Sequence, residues 1–127
     1  MPLEQICCLF QDLFGYELNT ETVEQALEEG YELAAPVEAE IREALTQAEV
    51  AHFDETGLRA AGKLRWMHTA SNAEYTHLFV HPKRGEEALR SADSVLKDFT
   101  RWAIHDHMPA YYKFSQAKHG ACNAHIL

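Results

Sequence analysis

Cysteine is scarce in this sequence, and the three that occur are Cys7, Cys8 and Cys122. A small, odd number of cysteines without a CxxC spacing does not make a disulfide framework or a zinc knuckle. Long apolar runs are missing as well, because no stretch approaches the roughly 20 residues that a membrane-spanning helix needs. The N-terminus lacks the basic start and uncharged apolar run of a secretory signal. These absences predict a cytoplasmic protein with reduced thiols that does not cross a membrane.

Basic residues are nearly absent from the first part of the chain. Residues 1–49 carry twelve acidic residues and one basic residue, Arg42. Residues 50–127 carry eight acidic residues, ten basic residues and all eight histidines. Because DNA binding depends on Lys and Arg neutralising backbone phosphates, only the second part is compatible with nucleic acid. We therefore predict an acidic helical segment over residues 1–49 and a second domain over residues 50–127.

Apolar residues in the first part recur at helical spacing. The first stripe comprises Leu3, Ile6, Leu9, Phe10, Leu13 and Phe14. We expect Gly15 to stop that helix and Asn19 or Thr20 to cap the next one. Pro36 lies inside a later stripe that comprises Leu33, Val37, Ile41 and Leu45. A helix therefore either begins near Pro36 or kinks there.

The periodicity changes at Val50, where strand-forming residues become frequent. The segments of this type are residues 50–61, 63–71 and 75–81. Three short strands in immediate succession predict an antiparallel meander. We expect Ala61 and Gly62 to form a tight hairpin, because glycine accepts a positive φ. Residues 72–74 form the second turn.

Helical and strand patterns alternate in the rest of the chain. Residues 86–99 predict a crossover helix, residues 101–105 a fourth strand, and Pro109 starts a short helix. Residues 120–127 predict a fifth strand or the start of another helix. The order β-β-β-α-β-α-β after an all-helical lead belongs to the α/β (α+β) class. It is the order of an incomplete ribonuclease H-like core.

Two carboxylates are candidates for metal chemistry. Asp54 lies in the first predicted strand and Asp106 follows the fourth, and these strands are neighbours in a ribonuclease H-like sheet. Mg²⁺ and Mn²⁺ prefer hard oxygen ligands, and two such ions can activate a nucleophile and stabilise the leaving oxygen of a phosphodiester. The alternative is that both aspartates are solvated residues in loops or at strand ends.

Four ordered motifs carry a family resemblance. They are VAHFDETGLRAAGKLRWMHTAS, FVHPKRG, AIHDHMPAYYKF and CNAHIL. In this order they closely resemble the central domain of DDE transposases of the insertion sequence 66 family. The resemblance implies that Asp54 and Asp106 are the first and second catalytic, metal-binding residues. It implies Mg²⁺ or Mn²⁺ as cofactor, transposon-end DNA as partner, and DNA strand cleavage and transfer as the reaction.

The third acidic residue of that family is missing, since no Asp or Glu follows Asp106. Glu87 lies on the predicted crossover helix, and Glu55 adjoins Asp54 in a strand, so its side chain faces the other side of the sheet. Neither glutamate replaces the missing residue. The resemblance therefore implies a truncated fragment that binds metal weakly and is inactive alone. One alternative is a non-catalytic remnant that associates with itself as a homo-oligomer or with an intact transposase. Another is an unrelated histidine-rich metal hydrolase.

Four residues are predicted to contact DNA. Lys83 and Arg84 form a basic tip that either positions backbone phosphates or lies in a solvated loop. His105 and His107 flank Asp106, and they either orient the scissile phosphate or pack as hydrogen-bonded side chains beside the carboxylate.

Overall fold

The computed structural model describes residues 2–125, which divide after Val37 into two compact units. The helices are α1 (Leu3–Phe14), α2 (Thr20–Gln47) and α3 (Glu86–Leu89). The strands are β1 (Val50–Ala60), β2 (Lys63–Ser71), β3 (Thr76–His81), β4 (Trp102–His105) and β5 (Lys118–Ala121). Short 3₁₀ turns lie at Tyr111–Lys113 and Asn123–His125. The mixed α+β class is therefore confirmed.

The end of α1 and the start of α2 lie at the predicted capping residues. Gly15 ends α1 with φ 66, and its N–H donates to the carbonyl of Gln11, as a left-handed glycine cap does. Asn19 caps α2, because its Oδ1 accepts the N–H of Thr22 at 2.7 Å. Pro36 lies inside the 28-residue helix α2. The alternative that a new helix begins at Pro36 is therefore wrong.

One five-stranded mixed sheet organises the second unit, with the strand order β3-β2-β1-β4-β5. β1 pairs antiparallel with β2, and β2 antiparallel with β3. β4 is parallel to both β1 and β5. The predicted hairpin between β1 and β2 is confirmed, since Ala61 and Gly62 have φ of 48 and 73. Two successive positive φ values match the twist of the paired strands.

The predicted helix over residues 86–99 is wrong, because α3 ends at Leu89. Side chains distant in the sequence bond to carbonyl groups that would accept backbone hydrogen bonds in a longer helix. The carbonyl of Ala92 accepts from Arg42 at 3.0 Å, and the carbonyl of Asp93 is 2.9 Å from His77 Nε2. The chain continues in turns closed by bonds between residues three apart. Tertiary packing thus overrides a helical pattern.

A hydrophobic core packs against one side of the sheet. Its buried members are Leu45, Ala51, Phe53, Ala70, Leu89, Val95, Leu96, Phe99, Ala103, Tyr111, Phe114 and Ala117. The other side of the sheet is open, and Leu78 and Val80 on β3 are about half exposed. Among residues 2–125 no helix is both long enough and apolar enough to cross a bilayer.

Candidate active site where the pairing of β1 with β4 ends

The two predicted aspartates follow paired positions on adjacent strands. The parallel register of β1 and β4 ends with the pair His52 and Ile104. Asp54 lies two residues after His52, and Asp106 lies two residues after Ile104. Adjacent strands are about 4.8 Å apart. The register therefore brings both aspartates to the point just beyond the last paired residues of β1 and β4.

The two carboxylates have different surroundings. Asp54 is exposed, and its Oδ1 accepts the N–H of Glu55 at 2.9 Å. Asp106 is partly buried, and its Oδ1 accepts the N–H of Met108 at 2.9 Å. Its other oxygen, Oδ2, lies 3.7 Å from Arg84 Nη2. In each aspartate, one carboxylate oxygen therefore accepts a hydrogen bond from a nearby backbone N–H.

A buried carboxylate that sequence analysis dismissed lies beside this pair. The Glu55 side chain is fully buried, on the face of β1 opposite Asp54, as the alternation of the strand predicts. Its Oε1 accepts from Arg84 Nε at 2.8 Å, and its Oε2 accepts from the Tyr111 hydroxyl at 2.6 Å. Burial and then the hydrogen bond to Glu55 raise the pKa of Tyr111. Tyr111 therefore stays protonated and acts as the donor.

Arg84 links the strands at this end of the sheet. Its guanidinium lies 5.0 Å from the centre of the Trp66 ring, a distance at which a cation and an aromatic face attract. The hydrogen bond to Glu55 raises the pKa of Arg84 further, so the group stays charged. Arg84 thus contacts β2 through Trp66, β1 through Glu55, and the end of β4 through Asp106.

Comparison with protein-family models matches residues 1–127 to the family described as Transposase IS66 family. The chain belongs to this family. Membership gives it a role in transposition and implies that it binds DNA. No curated protein and no solved structure matches the chain.

The first histidine of the HDH motif is not a surface residue in this IS66-family chain. His105 is fully buried and stacks on Tyr111 at a centroid distance of 4.4 Å. Its Nδ1 accepts the N–H of His107 at 3.2 Å, so the proton of the neutral ring is on Nε2. That atom lies 3.0 Å from Nδ1 of His119, and His119 Nε2 lies 3.1 Å from the carbonyl of Phe114.

These contacts form one hydrogen-bonded chain from the His107 amide through the two rings to the carbonyl of Phe114. Burial, followed by the nearby His119 and His107, lowers the pKa of His105 to about 4. The DNA contact of His105 stays a prediction, and the burial of a ring with both nitrogens engaged favours the alternative that His105 packs as a hydrogen-bonded side chain. The alternation of β4 could have indicated this, because Ala103 and His105 share the buried face.

The other predicted DNA contacts lie at the surface of the IS66-family chain. Lys83 is exposed, and Arg84 keeps nearly half of its side-chain area accessible. His107 is exposed, has φ 70, and pairs through Nδ1 with the hydroxyl of Tyr112. Residues other than glycine seldom adopt this φ.

The side chains present fit a divalent ion only as an incomplete ligand set. Aspartate oxygens are the donors that Mg²⁺ and Mn²⁺ prefer. Within residues 2–125, however, no group of three or more His, Cys, Asp or Glu residues is arranged to hold a metal ion. Asp54 and Asp106 thus supply two suitable ligands, and Glu55 is already occupied by Arg84 and Tyr111.

Proposed function

We propose that the sheet-containing unit is the partial catalytic core of a DDE transposase with a ribonuclease H-like fold. The observation that carries this proposal is the coincidence of strand order and aspartate position. A central β1, antiparallel to β2 and parallel to β4, agrees with that fold. Asp54 and Asp106 follow the last paired positions of the two parallel strands.

In this proposal Asp54 and Asp106 bind Mg²⁺ or Mn²⁺. Such ions would activate the attacking water in cleavage or the 3′-hydroxyl in strand transfer, and would stabilise the leaving oxygen. Asp54 is exposed on the open side of the sheet, where a DNA strand has access. Lys83, Arg84 and His107 are the exposed groups that position phosphates near Asp106.

The ligand set also sets the limits of the activity. Within residues 1–127 no acidic residue follows Asp106. Two carboxylates bind a divalent ion weakly, because Mg²⁺ sites normally add substrate phosphates and waters to the protein ligands. We therefore expect weak metal binding and no strand transfer from these residues alone.

Calorimetric titration with Mn²⁺ tests the proposal. We expect weak heats for the wild type and their loss in Asp54→Asn and in Asp106→Asn. Asp98→Asn is the matched control, because Asp98 is an exposed aspartate in the same unit. Equal heats for all four proteins would remove Asp54 and Asp106 as metal ligands.

A second function, association with itself or with an intact transposase, is favoured by the first helical unit. No residue of α1 is buried. Its exposed apolar side chains include Leu9, Phe10, Leu13 and Phe14. Light scattering, alone and with intact transposase, tests this function. A protein that stays monomeric and does not bind intact transposase would contradict this second function.

A further inference from the structure

The hairpin of β1 and β2 extends past the rest of the sheet. β1 pairs with β4 only as far as His52, and β2 pairs with β3 only from Trp66 onward. Residues 58–65 pair with one another alone, from Leu58 opposite Arg65 to Ala60 opposite Lys63. This segment, the ribbon, is a two-stranded arm, and neither of its outer edges pairs with another strand of residues 2–125.

The ribbon carries positive charge in a chain whose net charge is -9. Its cations are Arg59, Lys63 and Arg65, and no acidic residue occurs between Glu55 and Glu74. In the described residues 2–125, no carboxylate forms an ion pair with any of the three. Four other cations of the same unit are each paired with a carboxylate, and they are Arg84, Arg90, Arg101 and Lys113.

The register assigns these cations to different faces of the ribbon. Directly opposed residues in an antiparallel pair share a face, and alternate residues of one strand do too. Arg65 opposes Leu58, and Lys63 opposes Ala60, so both lie on the face that carries Asp54. Arg59 opposes Leu64 and lies on the other face.

The distance along β1 suits a DNA strand. Leu58, opposite Arg65, is four residues beyond Asp54, which is about 13 Å at 3.3 Å per residue. One DNA strand rises about 3.4 Å per nucleotide. A strand running along this face therefore presents several phosphates between Asp54 and the ribbon tip.

We propose that the ribbon is a DNA-binding arm, in which Lys63 and Arg65 contact backbone phosphates of a strand that passes Asp54. The inference rests on the proposed function, because it takes the Asp54 face as the side that meets DNA. The complementary partner of unpaired cations without neighbouring carboxylates is a polyanion, and duplex DNA is the polyanion on which a transposase acts.

Fluorescence anisotropy with a labelled DNA duplex tests the arm, with EDTA present and over roughly 20–150 mM salt. Each lost phosphate contact reduces the magnitude of the negative slope of log affinity against log salt by about 0.9. We expect this decrease for Lys63→Gln and for Arg65→Gln. Arg59→Gln removes the same charge from the opposite face of the same ribbon, so we expect its slope to stay at the wild-type value. Circular dichroism checks that each variant is folded.

Four outcomes overturn the inference. They are an unchanged slope in both Lys63→Gln and Arg65→Gln, an equal decrease in Arg59→Gln, equal wild-type affinity for heparin and DNA, and no wild-type binding at the lowest salt. None of them bears on metal binding, because EDTA removes divalent ions. Conversely, metal heats that survive Asp54→Asn would overturn the metal site without changing the slopes. The two proposals therefore fail separately.

Discussion

Replacing Tyr111 by Phe removes one hydroxyl group and leaves a fully buried ring in place. The ring keeps its stacking on His105 and its contact with Phe53. What disappears is the donor to Glu55 Oε2 at 2.6 Å. The Glu55 carboxylate then remains buried with Arg84 as its partner.

The cost follows from the charge of the acceptor. A hydrogen bond to a charged group contributes about 1.5–3 kcal/mol to stability, compared with about 0.5–1.5 kcal/mol for a neutral pair. We therefore expect Tyr111→Phe to lower the free energy of unfolding by about 2 kcal/mol. For a domain of this size, such a loss lowers Tm by about 8–16 °C.

Urea unfolding followed by tryptophan fluorescence measures this change. Tyr112→Phe is the matched control, because the Tyr112 side chain is about half exposed and its hydroxyl contacts His107 at the surface. We expect the control to change stability by less than about 0.5 kcal/mol. In a Glu55→Gln background the cost of Tyr111→Phe should fall to about 1 kcal/mol. Equal costs for Tyr111→Phe and Tyr112→Phe would refute the reasoning.

Three further predictions concern other parts of the fold. Phe99→Ala removes a fully buried ring and should cost about 3–5 kcal/mol in urea unfolding; a cost no larger than that of half-exposed Val80→Ala would contradict it. Burial lowers the pKa of His68 from 6.5. As the pH falls, His68 is therefore protonated at a higher pH in the unfolded chain than in the folded chain. Its contribution to stability is complete above pH 6.5 and declines below that value by at most about 1.4 kcal/mol per pH unit. His68→Gln should flatten this slope in melts at several pH values, and an unchanged slope would argue against the assignment. Asn19→Ala removes the cap of α2 and should lower the free energy of unfolding by about 1 kcal/mol. The helical circular dichroism signal of the variant should therefore be lost at a lower temperature than that of the wild type. Identical melting curves for the two proteins would contradict this prediction.

Local features of the fold were predictable because neighbouring residues determine them. Gly15, Asn19 and the Ala61-Gly62 hairpin act through their own backbone or through partners a few residues away. The helix over residues 86–99 was not predictable, because side chains distant in the sequence take its carbonyl groups. Phe99, the last residue of that segment, is nevertheless buried.

The candidate site was predictable only in part. The motifs singled out Asp54 and Asp106, and their roles in catalysis and metal binding stay predictions. The Glu55 network escaped sequence analysis, because its partners Arg84 and Tyr111 lie 29 and 56 residues away. The periodicity of apolar residues does not indicate hydrogen bonds between side chains so far apart in the sequence. The burial of Glu55 was readable from the alternation of β1, whereas the donors that satisfy it were not.

The segment that carries Asp106 is held by two hydrogen bonds of its own. The His105 ring accepts the N–H of His107, and the Asp106 carboxylate accepts the N–H of Met108. Since His105 is itself bonded to His119, the conformational entropy of this segment is lost during folding rather than during binding. Under the proposed function, a divalent ion would therefore meet a prearranged carboxylate oxygen and would not have to order a loose loop.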